Sequence, residues 1–145
     1  MSSPAEATMP FRFEVTTLPV TDVDRAKEFY LGLGWRLDID FEPGPGVRVV
    51  QITPPGSPAS IQFASPSFDG PLQNLYLVVD DIVAARDELV SRGVEVSDFF
   101  HLVIGEGNVP GLDPERATYA SRATFADPDG NTWLLQEITD RLPGR

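Results

Sequence analysis

Asp127-Pro128-Asp129-Gly130-Asn131 leads directly into Thr132-Trp133-Leu134-Leu135-Gln136-Glu137-Ile138. Pro128 fixes one backbone angle, the two aspartates can accept hydrogen bonds from the turn's own N–H groups, and Gly130 supplies the positive φ of a tight reversal. The apolar, β-prone run that follows predicts a final strand launched by that turn. Working back from it, two earlier stretches prove to be copies of each other. Leu18-Pro19-Val20-Thr21-Asp22-Val23 runs on through Ala26 and Tyr30 to Gly34-Trp35, and Leu77-Val78-Val79-Asp80-Asp81-Ile82 runs on through Ala85 and Leu89 to Gly93-Val94. One constant offset carries Val20 onto Val79, Asp22 onto Asp81, Val23 onto Ile82, Ala26 onto Ala85 and Gly34 onto Gly93. The chain is a duplicated module.

Each half reads as strand, helix, glycine, strand, and the Asp-Pro-Asp-Gly-Asn turn stands near the end of the second. On those residues the chain resembles the vicinal oxygen chelate superfamily, which holds glyoxalases, bleomycin-resistance proteins and extradiol dioxygenases. The resemblance runs from about Phe11 to Ile138. It implies an α+β fold of two tandem βαβββ modules that bend a mixed sheet around a cavity, and it specifies the fold far better than the reaction.

In chain order, residues 1–10 are small and polar and predict a tail, with neither the basic start nor the apolar core of a secretory signal. Module one is expected over 11–64. Its first strand centres on Phe13, Val15 and Thr17. Its helix is capped by Asp22, buries Val23, Ala26 and Tyr30, and stops at Gly32 and Gly34. Strands are then predicted over 35–41, 47–53 and 60–64. A Pro, Ser and Gly-rich linker over 65–71 precedes module two, 72–138, whose first strand is expected over 72–79 and whose helix starts at Asp81 and ends at Gly93. Val94, Val96 and Phe99 suggest its next strand. Residues 101–118 lack a period and read as a long loop, either a lid or a surface insertion. A penultimate strand over 119–126 and a polar tail over 139–145 complete the chain.

Among 145 residues, 41% are apolar, enough for one buried core. No apolar run approaches the ~20 residues of a membrane-spanning helix, so a cytoplasmic protein that leaves membranes alone is expected. Eleven basic against twenty-two acidic residues give a net charge of −11. That field repels phosphate backbones, which argues against nucleic acid as a partner, and favours cationic ligands. With no cysteine in the sequence, disulfides, thiolate metal sites and a thiol nucleophile are excluded.

In metal-using members, the resemblance implies one ligand from the first strand and one from the last strand of each module, usually His and Glu. Those positions carry Val15 and Gln62 in module one and Asn74 and Leu134 in module two. None is a good ligand for a hard or borderline divalent ion, so no metal and no cofactor are expected. The single histidine, His101, lies in the irregular stretch. It and Tyr76 are the candidates for acid or base chemistry. The cavity is expected to be lined by Val15, Thr17, Gln62, Asn74, Tyr76 and Leu134, joined by Trp133 or Gln136 depending on strand register. Such a lining, apolar with a few amides and hydroxyls, suits a small organic molecule, cationic or aromatic. Two functions stay open: a binding or sequestering protein without metal, and a lyase, isomerase or dioxygenase with unusual ligands or metal-free catalysis. The resemblance further implies a homodimer.

Overall fold

The computed structural model describes residues 4–64 and 68–141. The ends of both predicted tails and residues 65–67 of the linker fall outside those residues. The first half folds as β1 (Val15–Thr17), α1 (Val23–Gly32), β2 (Arg36–Gly44), β3 (Val47–Thr53) and β4 (Ser60–Ala64). The second half folds as β5 (Leu75–Val79), α2 (Ile82–Ser91), β6 (Phe100–Val103), β7 (Gly107–Pro110), β8 (Ser121–Ala126) and β9 (Thr132–Glu137). Sheet one has the order β1-β4-β3-β2 and sheet two the order β5-β9-β8-β6-β7. In each, the first strand lies parallel to the last and the other pairs are antiparallel. This is the expected α+β architecture.

The offset read from the sequence carries α1 onto α2 at both ends. Their caps are equivalent as well: Asp22 accepts from the Arg25 amide at 3.1 Å, and Asp81 accepts from the Val83 and Ala84 amides at 3.1 Å. At the other end, Trp35 N donates to Tyr30 O and Val94 N to Leu89 O. That six-residue closure needs the left-handed glycine that sits before it, Gly34 at φ +84 and Gly93 at φ +87. The helix-start aspartates are therefore structural, as their positions suggest.

Two expectations for module two need correction. The stretch 101–118 is no continuous loop, because its first half forms the hairpin β6–β7, reversed at Gly105-Glu106-Gly107 with Glu106 N bonded to Val103 O at 3.0 Å. The second strand of that hairpin, Gly107-Asn108-Val109-Pro110, has little β propensity of its own. It is tolerated because it lies at the sheet edge, where a proline breaks no inner ladder. Val94, Val96 and Phe99 form no strand, and instead pack half-buried against the core.

Both sheets bury one face in a single core. From module one come Tyr30, Trp35, Val50, Ile52 and Phe63, and from module two Ala123, Phe125, Trp133 and Leu135. The rings of Trp35 and Trp133 meet edge to face at 5.2 Å, and Tyr30 lies 6.0 Å from Trp133. At about 25 cal/mol per Å², each such ring contributes roughly 4–6 kcal/mol of gross transfer energy. The duplicated halves are thus bonded through their helix-side faces.

Candidate functional site

Strand alternation and register decide where each expected lining residue points. In sheet two, Trp133, Leu135 and Glu137 face the core, while Leu134 and Gln136 face the other way. Leu134 stands beside Tyr76 on β5 and Thr124 on β8, and Gln136 stands between Val78 and Arg122, with Phe100 beyond. Trp133 is therefore excluded from the open face and belongs to the aromatic core, where its indole Nε1 donates to Tyr30 Oη at 3.0 Å. Gln136 joins the open face, but it is buried, and its amide donates to Tyr119 O at 2.9 Å. The accessible part of that face is Tyr76, 54% exposed, with Val78 at 43% and Leu102 at 49%.

In sheet one, Val15, Thr17 and Gln62 share the face turned from the helix, and Gln62 Nε2 donates to Thr17 Oγ1 at 3.0 Å. Their register settles the equivalence between modules. The offset places Thr17 on Tyr76, and the parallel partners of those two are Gln62 and Leu134. Asn74 precedes β5 in a left-handed conformation, φ 56, exposed, with its backbone N–H donating to Thr132 Oγ1.

Because the two sheets share one core through their inner faces, their open faces lie on opposite sides of it. Within one chain, Val15, Thr17 and Gln62 are not brought together with Tyr76, Leu134 and Gln136. A cavity of about 320 Å³ between the modules is lined mainly from the core side instead, by Trp35, Leu77, Leu89, Arg92 and Leu135 among others, with Val78 of the open face at its wall. A second, of about 290 Å³, takes in Phe13, Tyr76 and Trp133.

His101 lies on β6, faces the core side with Ser121, and is buried, with Nδ1 2.7 Å from Gly111 O. It is held by its own hairpin and has no path to the open face. The residue that sequence reasoning missed is Arg122. Its guanidinium lies over the Tyr76 ring, 6.0 Å from the centroid, and its Nε is buried without a hydrogen-bond partner. Counting back across the Asp127–Asn131 turn would have paired Arg122 with Gln136 and so found it.

The Asp127–Asn131 turn clamps the two halves. Asp127 accepts from the amides of Asp129 and Asn131 and from Tyr30 Oη at 2.6 Å. Burial, then the Asp127 charge, pushes the Tyr30 phenol far above its ordinary range. Asn131 donates to Pro19 O at 3.0 Å and accepts from Leu72 N at 2.8 Å, so one side chain ties the starts of both modules. Asp129 accepts from Thr21 Oγ1 at 2.6 Å and Arg25 at 3.0 Å.

This motif, with the matched caps and sheets, agrees with a family model. The glyoxalase/bleomycin resistance protein/dioxygenase model matches residues 12–135. The chain belongs to that superfamily. Among solved structures, the fold is similar to that of TnmS3, an antibiotic-binding protein from Streptomyces sp. CB03234. The TM-score is 0.66 and the identity 29%, over 92% of this chain and 99% of that one. A glyoxalase/bleomycin resistance protein from the same organism gives a TM-score of 0.63 at 31% identity, covering 87% of this chain and all of the other. The bleomycin resistance determinant of transposon Tn5, at 18% identity and a TM-score of 0.60, shares the fold. CFP32 of Mycobacterium tuberculosis, provisionally named a glyoxylase, is 33% identical over 54% of this chain. The chain spans about a third of the length of the curated relatives it matches, 32% for CFP32.

The superfamily's metal can be tested against the donors present. Val15, Gln62, Asn74 and Leu134 offer no imidazole and no carboxylate. Among the described residues, no three His, Cys, Asp or Glu side chains gather as a metal site. This donor set does not fit a divalent ion. Among the described residues, no helix is long and apolar enough to cross a membrane.

Proposed function

We propose that this protein binds and sequesters a bulky aromatic small molecule in the cytoplasm, without metal or cofactor, as a homodimer. The observation that carries the reading is the open face of sheet two. It presents an exposed aromatic ring, Tyr76, beside exposed Val78 and Leu102, with no acidic side chain on its strand registers. A flat ring flanked by apolar side chains is the kind of surface on which a large aromatic body stacks. TnmS3, which its description calls antibiotic-binding, supports the same class of ligand.

A second copy is part of the proposal. The face of Val15, Thr17 and Gln62 lies across the core from that of Tyr76, so only a partner chain can oppose them and enclose a ligand. Exposed Ile39 and Phe41 on β2, on the same open face of sheet one, add apolar surface for that contact. An enzymatic reading retains one feature, the exposed Tyr76 hydroxyl as a proton donor, since His101 is turned to the core.

The test combines three measurements on protein purified without an affinity tag. Sedimentation at micromolar concentration gives a dimer, elemental analysis gives well under one divalent ion per chain, and bulky aromatic compounds raise the melting temperature by mass action. A stoichiometric metal, or turnover of an aldehyde–thiol adduct, would overturn the proposal.

A further inference from the structure

We infer that the ligand of the sheet-two face is an aromatic acid, or an aromatic with a strongly accepting oxygen, received by Arg122. This rests on the reading above that this face takes a small molecule. The strand registers place one charged side chain on it, Arg122. Glu137 and His101 point to the core side, and the row through Arg122 is completed by neutral Phe100, Gln136 and Val78. The guanidinium lies over Tyr76, the most exposed ring of that face, so a flat ligand stacked there has the cation at its edge.

The donors of Arg122 are not all used. Its Nε is buried with no acceptor, whereas the neighbouring Gln136 amide is already given to Tyr119 O. A carboxylate that draws the planar fork toward the ring would meet two parallel N–H groups, the geometry guanidinium recognises best. Sheet one offers no rival charge. Its open-face ions are Arg36 and Asp38, paired with each other at 2.6 Å, and Asp38 also accepts from Thr53 Oγ1.

The chain's net charge of −11 argues the other way, for a cation, as composition alone suggested. That charge is spread over the surface and screened beyond ~8 Å at physiological salt. Arg122 sits beside the ring itself, so proximity decides and the local sign is positive.

Pyrene-1-carboxylate and pyrene-1-methylammonium are matched probes, titrated by fluorescence into the full chain. The wild type is expected to bind the acid about tenfold more tightly than the ammonium, the scale of one charge-assisted hydrogen bond. Arg122→Gln is expected to erase that preference and Arg122→Lys to keep part of it, with melting curves confirming the fold of each. Were Arg122→Gln not to fold, Arg122→Lys and a salt titration decide: the acid's affinity falls with added salt and the ammonium's does not. Equal or tighter binding of the ammonium, or an acid preference that survives Arg122→Gln, would overturn the inference and leave the binding function standing. If neither probe binds, both fail.

Discussion

Tyr30 Oη donates to Asp127 Oδ2 at 2.6 Å and accepts from Trp133 Nε1 at 3.0 Å, so the helix of module one is bonded to both the turn and the last strand of module two. The hydroxyl is the polar hinge of an aromatic core, and the same carboxylate oxygen also accepts from Asn131 Nδ2 at 2.9 Å.

Tyr30→Phe should therefore cost more than a surface hydroxyl. It leaves a buried carboxylate short of one donor and a buried indole N–H without an acceptor, about 1–3 kcal/mol of lost stability. Urea unfolding is the measurement. A change within a few tenths of a kcal/mol would mean that the modules are not coupled through this hydroxyl.

A second buried carboxylate contributes to the response to acid. Glu137 accepts from Arg116 at 2.8 and 2.5 Å and from the Ile82 amide at the start of α2 at 2.9 Å. The Arg116 hydrogen bonds, opposed by burial and helped by that amide, hold its carboxyl below its ordinary value of 4.5. A depressed folded-state pKa adds stability that is present above 4.5 and is lost as pH falls through the folded value. Glu137→Gln is expected to be less stable at neutral pH by about 1–3 kcal/mol, with a shallower loss on acidification. Melting temperatures between neutral pH and about pH 3 compare the two slopes.

The repeat supplies its own control for a glycine experiment. Gly34 and Gly93 close equivalent helices, but a Cβ at Gly34 would come 2.9 Å from the Arg92 guanidinium, while one at Gly93 would meet nothing within 4 Å. Gly93→Ala should cost about 1–2 kcal/mol for the left-handed backbone alone. Gly34→Ala should cost slightly more, because Arg92 must move. In an Arg92→Ala background the two penalties should converge, as read by thermal denaturation.

His101→Ala separates structure from function. Its ring is bonded to Gly111 O and faces away from Tyr76, so the variant should lose about 1 kcal/mol of stability and leave aromatic-ligand affinity unchanged. Tyr76→Ala should do the reverse, weakening an aromatic probe by roughly 0.5–1.5 kcal/mol with little change in melting temperature. Isothermal titration alongside thermal melts reads both, and a ligand defect in His101→Ala would return that residue to candidacy for chemistry.

The sequence by itself determined the duplication, the presence of the two helices, their aspartate caps and the turn before the last strand. These are local: a cap needs a neighbouring amide, a helix face needs a period, and a left-handed stop needs glycine. It also held the register across the Asp127–Asn131 turn, from which the face of Arg122 follows. Tertiary structure alone decided which way the sheets turn. The apolar pattern of Trp133-Leu134-Leu135 suits either face, and only the meeting of Trp133 with Tyr30 and Trp35 sends that ring inward. The same packing puts the two open faces on opposite sides of one core, a relation between distant segments that no local pattern encodes. The hairpin Phe100–Pro110 was hidden for a related reason, since its outer strand is held by ladder bonds to β6 rather than by the propensity of Gly107-Asn108-Val109-Pro110.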